Sequence, residues 1–284
     1  MRLERPLLSA RLSVDYPKKP GILQEICLDL DPGEILGLVG QSGSGKSTLA
    51  LALMGLLRLK GARVRGEVIF QGEDLARKTE RQLRTLRGRR MSIVLQSPLT
   101  SLNPALSIGT QLQEAWRAHA GGTRDECLAA VHSALQSVSL QGEDDFLRRR
   151  ASQLSVGQGQ RVTIAMAILH RPALLIADEA TSALDTITQS EILRLFAGLN
   201  REMGMAILYI SHDLLSVAAL CHRIAILQEG RIVECGESRD IFESPRHEYT
   251  RQLVAALPRI PFRADAKTDL ARRAENALFE LSSI

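Results

Sequence analysis

Residues Gly40–Thr48 read GQSGSGKST and match the pattern GxxxxGK[ST]. The short apolar run Ile35–Val39 precedes them, and the apolar, helix-prone stretch Ser47–Leu57 follows. The match is informative because of this context of buried strand, glycine-rich loop and helix. It commits the chain to an α/β fold with a P-loop NTPase core. Gly43 and Gly45 let backbone N–H groups turn inward around phosphates, and the helix start adds its positive dipole end. Within the candidate loop, Gly40, Gln41, Ser42, Gly43, Ser44, Gly45, Lys46, Ser47 and Thr48, the lysine is expected to reach the β- and γ-phosphates. Ser47 is the expected ligand for Mg²⁺.

A second stretch, 154–185, reads LSVGQGQRVTIAMAILHRPALLIADEATSALD. Ser155 and Gly157 are small residues opening a helix, so accessible N–H groups and a helix dipole make an anion-binding corner. An ordinary N-capped helix has the same look, since serine is a common cap. Further on, Leu174–Glu179 (LLIADE) places Asp178 at the end of a buried strand, where a carboxylate can help hold Mg²⁺. Glu179, one residue beyond, is positioned to polarise a water that attacks the γ-phosphate. Beside the phosphate loop, the acid pair reads as catalytic rather than as an ordinary exposed strand end.

Composition excludes several alternatives. A chain of 284 residues with 45% hydrophobic and 24% charged residues is an ordinary globular composition with room for a large core. The net charge of +4 is mild, and one Trp, three Tyr and six Phe offer little base-stacking surface. The basic runs Arg87–Arg90 and Arg148–Arg150 read as solvated faces, so no nucleic acid is expected. Cys27, Cys127, Cys221 and Cys235 form no CxxC pair, which argues for reduced thiols in the cytosol. The first residues, MRLERPLLSARLSVDYP, carry charges where a signal peptide needs an apolar run. No apolar stretch reaches the ~18 residues that span a bilayer, so any membrane span must come from other chains.

The periodicity changes along the chain. Residues 9–30 read as β, Glu67–Phe70 before Gln71-Gly72 as a hairpin arm, and Ser92–Leu95 as a buried strand. Gly109–Ala120 and Thr123–Val138 are helical, with little β signal around them. Strand Ala173–Ala177, helix Thr188–Met203, strand Met205–Ile210 and the hairpin Arg223–Gln228/Arg231–Glu234 follow, and then helices near 238–243 and 247–256. The expected organisation is a nucleotide-binding α/β core from 1–96 and 164–236, a RecA-like lobe with an antiparallel β subdomain. A helical lobe is inserted at 97–163, and a helical extension covers 237–284. No internal repeat is present, so there is one cassette.

Taken together, Tyr16, the loop 40–48, Gln96, LSVGQ at 154–158, Asp178–Glu179, Ser182-Ala183-Leu184-Asp185 and His212 resemble the nucleotide-binding subunit of ABC transporters. The resemblance runs from Tyr16 to His212. It implies that Tyr16 stacks on adenine, and that Gln96 senses Mg²⁺ and the γ-phosphate while moving the helical lobe. It also implies that His212 contacts the γ-phosphate and that Asp185 lies where two such subunits meet. Ser155, Gly157 and Gln158 would hold a phosphate bound by the opposing subunit. The family's usual LSGGQ has Val156 in its third place here, and valine restricts φ where glycine does not.

Gln96–Pro104 (QSPLTSLNP) and Pro245–Leu253 (PRHEYTRQL) resemble the importers of oligopeptides, dipeptides and nickel, with Glu248 in place of the usual proline. Some relatives carry a cysteine cluster in the tail, and with no Cys after Cys235 it is expected to be absent. The resemblance implies an ATP- and Mg²⁺-dependent ATPase that powers solute import, with peptide, nickel or a related cargo. It would sit peripherally on the cytoplasmic face of the inner (plasma) membrane. Its partners would be a second ATPase subunit, the same or a related chain, two membrane permeases and, through the complex, a solute-binding protein. Pro98, Leu99 and Leu102 are expected to receive a channel helix. The alternatives are an exporter subunit or a soluble ABC-type ATPase acting in translation or DNA maintenance. Pro245–Leu253 argues against the first, and the single cassette with its short helical insert argues against the second.

Overall fold

A computed structural model of the chain describes residues 5–17 and 19–257. Ten strands form two sheets: β1 (Leu8–Tyr16), β2 (Lys19–Leu30), β3 (Ile35–Val39), β4 (Arg63–Phe70), β5 (Glu73–Asp74), β6 (Met91–Val94), β7 (Leu174–Asp178), β8 (Ala206–Ser211), β9 (Arg223–Gln228) and β10 (Arg231–Glu237). The first sheet is antiparallel, in the order β2-β1-β4-β5. The second has the order β10-β9-β3-β8-β7-β6, with parallel pairing throughout except for the β9–β10 hairpin at its edge.

The sequence accounts for the difference between the sheets. Every residue of β3, β7 and β8 is buried, as expected for strands covered on both faces by other elements. In β1 burial alternates along Leu8, Ala10, Leu12 and Val14, the signature of a sheet with one face inward. Two hairpins turn on non-glycine/glycine pairs with positive φ. These are Gln71 (51°) with Gly72 (81°), and Glu229 (47°) with Gly230 (79°), the pattern of a two-residue type I′ turn.

Eleven helices complete the described chain: α1 (Lys46–Leu53), α2 (Glu80–Leu86), α3 (Pro98–Ser101), α4 (Ile108–Arg117), α5 (Arg124–Ser137), α6 (Asp144–Arg148), α7 (Val156–Ile168), α8 (Thr186–Met203), α9 (Leu214–Leu220), α10 (Ser238–Glu243) and α11 (Glu248–Ala255). The core lies in two layers. One joins Leu49 and Leu53 of α1 to the inner face of the antiparallel sheet and to Leu36, Leu38, Ile176 and Leu208. The other joins Ile35, Leu175 and Ile207 to α7, α8 and α9, and runs on into Ile108, Leu112, Trp116, Val131 and Leu135 of the helical insert. One continuous apolar cluster therefore links the insert to the sheet that carries the acids. The expected boundary between 163 and 164 falls within α7.

Two expectations need correction. The helix expected over Ser47–Leu57 ends at Leu53, because Gly55 adopts φ 65° and a short 3₁₀ turn follows at Leu57–Lys60. Helices α2 and α9 carried no expectation. Of the apolar residues expected to receive a channel helix, Leu102 is 2% exposed and Pro98 is buried, so neither is open to a partner, while Leu99 is half-buried. The exposed apolar side chain beside Gln96 is Leu95, at 44%.

Candidate active site

The phosphate loop is shaped by what surrounds it. A side chain at Gly40 would place a Cβ 2.2 Å from the Leu227 carbonyl oxygen, so only glycine fits. Gly45 adopts φ 109° and lies against Leu23, opening α1 in a conformation that other residues rarely adopt. Lys46 is nearly buried, and its ammonium donates to the carbonyls of Gly40 (2.8 Å) and Gln41 (3.1 Å). Ser44 Oγ is buried without a hydrogen-bond partner, a polar atom left over inside the loop.

The acids meet this loop from β7. Asp178 Oδ1 accepts from Ser47 Oγ at 3.2 Å, which brings together two of the three residues expected at Mg²⁺, Gln96 being bonded instead to Glu179 and Ser182. Burial pushes the Asp178 carboxyl up, with added repulsion from Glu179, against the opposing effects of Ser47 and Lys46. A hard cation placed there would offset that cost, and the oxygen donors suit Mg²⁺. The residues therefore fit the ion they are expected to hold.

Glu179 is where the expected residues converge. Its Oε1 lies 3.5 Å from Lys46 Nζ. Its Oε2 accepts from Gln96 Nε2 at 3.2 Å and lies 3.5 Å from His212 Nδ1. Gln96 also donates to Ser182 Oγ at 3.1 Å. The backbone of Glu179 has φ 49°, a left-handed conformation that costs a non-glycine residue about 1–3 kcal/mol. A bond from the Glu179 N–H to the Ile210 carbonyl (2.9 Å) holds it there. In this conformation the carboxylate faces Lys46, Gln96 and His212.

A buried set of hydroxyls supports the two loops that bear Glu179 and His212. Tyr209 is fully buried, and its hydroxyl bonds Thr181 Oγ1 (2.8 Å) and Ser216 Oγ (3.2 Å). Ser216 and Ser211 lie 3.3 Å apart, and Ser211 Oγ accepts from the Asp213 N–H. Burial pushes the Tyr209 phenol up to about 12. Sequence reasoning missed this group, because neither Thr181 nor Ser216 carries a signal of pairing with a strand tyrosine.

The remaining expected residues lie apart from this cluster. Ser155 caps α7, accepting from the Gln158 N–H at 3.1 Å while its own N–H donates to Gln158 Oε1 at 3.1 Å. This is a capping box. Among the described residues, no hydrogen bond or ion pair ties 155–158 to the loop at 40–48. Val156 is the first residue of α7, has no positive φ, and exposes 39% of its surface. The glycine usual at that place is therefore not needed for the backbone. Gly157 is tighter, since a Cβ there would lie 2.9 Å from Thr188 Cγ2. Asp185 caps α8 through the Thr188 N–H and hydroxyl, and these bonds hold its carboxyl below the usual range. Tyr16 ends β1, half-buried, beside a surface cavity lined by Pro17, Pro20 and Arg63.

A model of the family described as "ABC transporter" matches residues 23–182, more than half of the chain. The chain belongs to the ABC transporter family. A second model, "Oligopeptide/dipeptide transporter, C-terminal region", matches residues 233–280. The glutathione import ATP-binding protein GsiA of Salmonella typhimurium is 41% identical over 244 residues, covering 84% of this chain. The chain spans only 39% of the length of GsiA. The dipeptide transport ATP-binding protein DppD of Escherichia coli is 41% identical over 236 residues, covering 83% of this chain and 72% of DppD.

Among solved ABC structures, the dimeric post-hydrolysis ATP-binding cassette MJ0796 bound to ADP and Pi superposes with a TM-score of 0.71 at 26% identity. That match covers 82% of this chain and 99% of the cassette. The P-loop NTPase core with a helical insert is thus the fold of an ABC cassette. Among the described residues, no helix is long and apolar enough to cross a membrane.

Proposed function

We propose that this chain is the ATP-binding and ATP-hydrolysing subunit of a solute importer. The convergence of Lys46, Gln96 and His212 on the single carboxylate of Glu179 carries the reading. Lys46 and the backbone of 40–48 hold the phosphates, and Tyr16 receives the base. Ser47, Asp178 and Gln96 would hold Mg²⁺, which would neutralise developing phosphate charge. Glu179 takes a proton from the attacking water as the water oxygen bonds to the γ-phosphorus and the bond from that phosphorus to the ADP oxygen breaks. His212 donates toward the γ-phosphate. Ser155, Gly157 and Gln158 serve the site of an opposing ATPase subunit, because they stand apart from the loop of their own chain.

The likeness to GsiA and DppD, and the match at 233–280, support peptide-like cargo and import over export. The partners are then two membrane permeases and a second ATPase subunit, with a solute-binding protein acting through the complex. The chain itself lies peripherally on the cytoplasmic face of the membrane. Purification of the tagged chain from detergent-solubilised membranes tests this directly. Two permease chains and an ATPase chain should co-purify, whereas ribosomal or DNA-bound partners alone would contradict it.

A further inference from the structure

The C-terminal hairpin and helix touch the phosphate loop at three points. The Leu227 carbonyl abuts Gly40. The Gly230 N–H donates to the Ser44 carbonyl at 3.1 Å. The third point comes from 208 residues away: the Gln41 N–H donates to the Tyr249 hydroxyl at 3.2 Å.

Tyr249 is held in place from several sides. It is 7% exposed and belongs to the apolar cluster that contains Ile241. Its own N–H donates to His247 Nδ1, which caps α11. The turn before α11 is pinned to β10, where the Glu234 carboxylate accepts from the N–H groups of Arg246 (2.8 Å) and His247 (3.0 Å). A rigid ring thus presents one oxygen to the first turn of a loop whose later N–H groups must keep their direction to cradle phosphate.

We infer that Tyr249 is a positioning residue that fixes the phosphate loop through the Gln41 N–H and makes the C-terminal segment part of the nucleotide site. This rests on the ATP-binding reading above. The hydroxyl does not touch the phosphates. It narrows the conformations of Gln41 and Ser42 before nucleotide arrives, so less ordering remains to be done on binding.

The test is Tyr249→Phe in the full chain, which keeps the ring and its packing and removes only the hydroxyl that accepts from the Gln41 N–H. A fluorescent ATP analogue should bind about three- to tenfold more weakly, the range for one neutral hydrogen bond. Hydrogen exchange at the Gln41 amide should accelerate while the rest of 233–257 keeps its protection and Tm stays near wild type. Unchanged affinity and unchanged Gln41 exchange would overturn the inference. Accelerated exchange across the whole of 233–257 would also overturn it, since the hydroxyl would then serve only the helix. A wild-type chain that bound no nucleotide would sink the site reading instead, and the Gln41 exchange would still decide the tether.

Discussion

Glu179 Oε1 lies 3.5 Å from Lys46 Nζ, so the expected base and the expected phosphate-binding cation are paired across the mouth of one loop. A phosphate that takes Lys46 must compete with this carboxylate. Glu179→Gln removes the competing charge while keeping a side chain of the same shape. ATP should therefore bind about threefold tighter or more to the variant, by fluorescence titration in the presence of Mg²⁺. Weaker binding would mean that Glu179 helps to hold nucleotide rather than competing for Lys46.

Asp178 gives a dependence on pH. Its carboxyl is raised from 3.8, with burial as the largest cause. A raised carboxyl means that the folded chain holds the proton more tightly than the unfolded one. The stability from this group is then complete below 3.8 and is lost as pH rises through the folded value. At neutral pH the charged Asp178 costs stability. Asp178→Asn should raise Tm by about 1–3 °C at pH 7. The gain should vanish toward pH 4, and turnover should be lost. Thermal melts at the two pH values decide it, and an equal gain at both would separate the effect from ionisation.

Tyr209→Phe tests the buried hydroxyl group. It strands Thr181, while Ser216 keeps the Asp213 carbonyl at 2.8 Å. The loss should cost about 1–2 kcal/mol, or about 2–4 °C in Tm. The loops bearing Glu179 and His212 lose a shared support, so kcat should fall while KM for ATP holds. A fall in KM and kcat together, with no change in Tm, would speak against support from beneath.

Val156→Gly tests the departure from the usual signature. Val156 lies in ordinary helical conformation with its side chain outward. The coupled ATPase rate should stay within about twofold of wild type or rise, since first-turn positions depend little on helix propensity. A tenfold loss would make the valine itself part of the contact.

The phosphate loop and the acid pair were legible in the sequence because each sits where a strand meets a loop and its chemistry is local, whereas Gln96 and His212 stood out only through the resemblance to the family. The central strands were legible for the same reason, as unbroken apolar runs. What was not legible depends on distant pairing. Nothing near Gln41 signals that Tyr249 will reach its N–H, and no spacing joins Thr181 to Tyr209. The left-handed turn at Glu179 is a product of the Ile210 carbonyl on the neighbouring strand, and glutamate gives no hint of it. Helix α2 did carry a local signal that went unread, the capping box of Thr79 and Gln82. The inward turn of Leu102 came from the packing of the helical insert, which apolar character alone could not orient.

The most direct test of Glu179 as the residue that activates water is phosphate release from the intact membrane complex carrying Glu179→Gln. Mg²⁺ and ATP should be retained in a closed pair of ATPase subunits while phosphate release falls at least about a hundredfold, the scale of losing a general base. Phosphate release at the wild-type rate, with the same partners present, would contradict it.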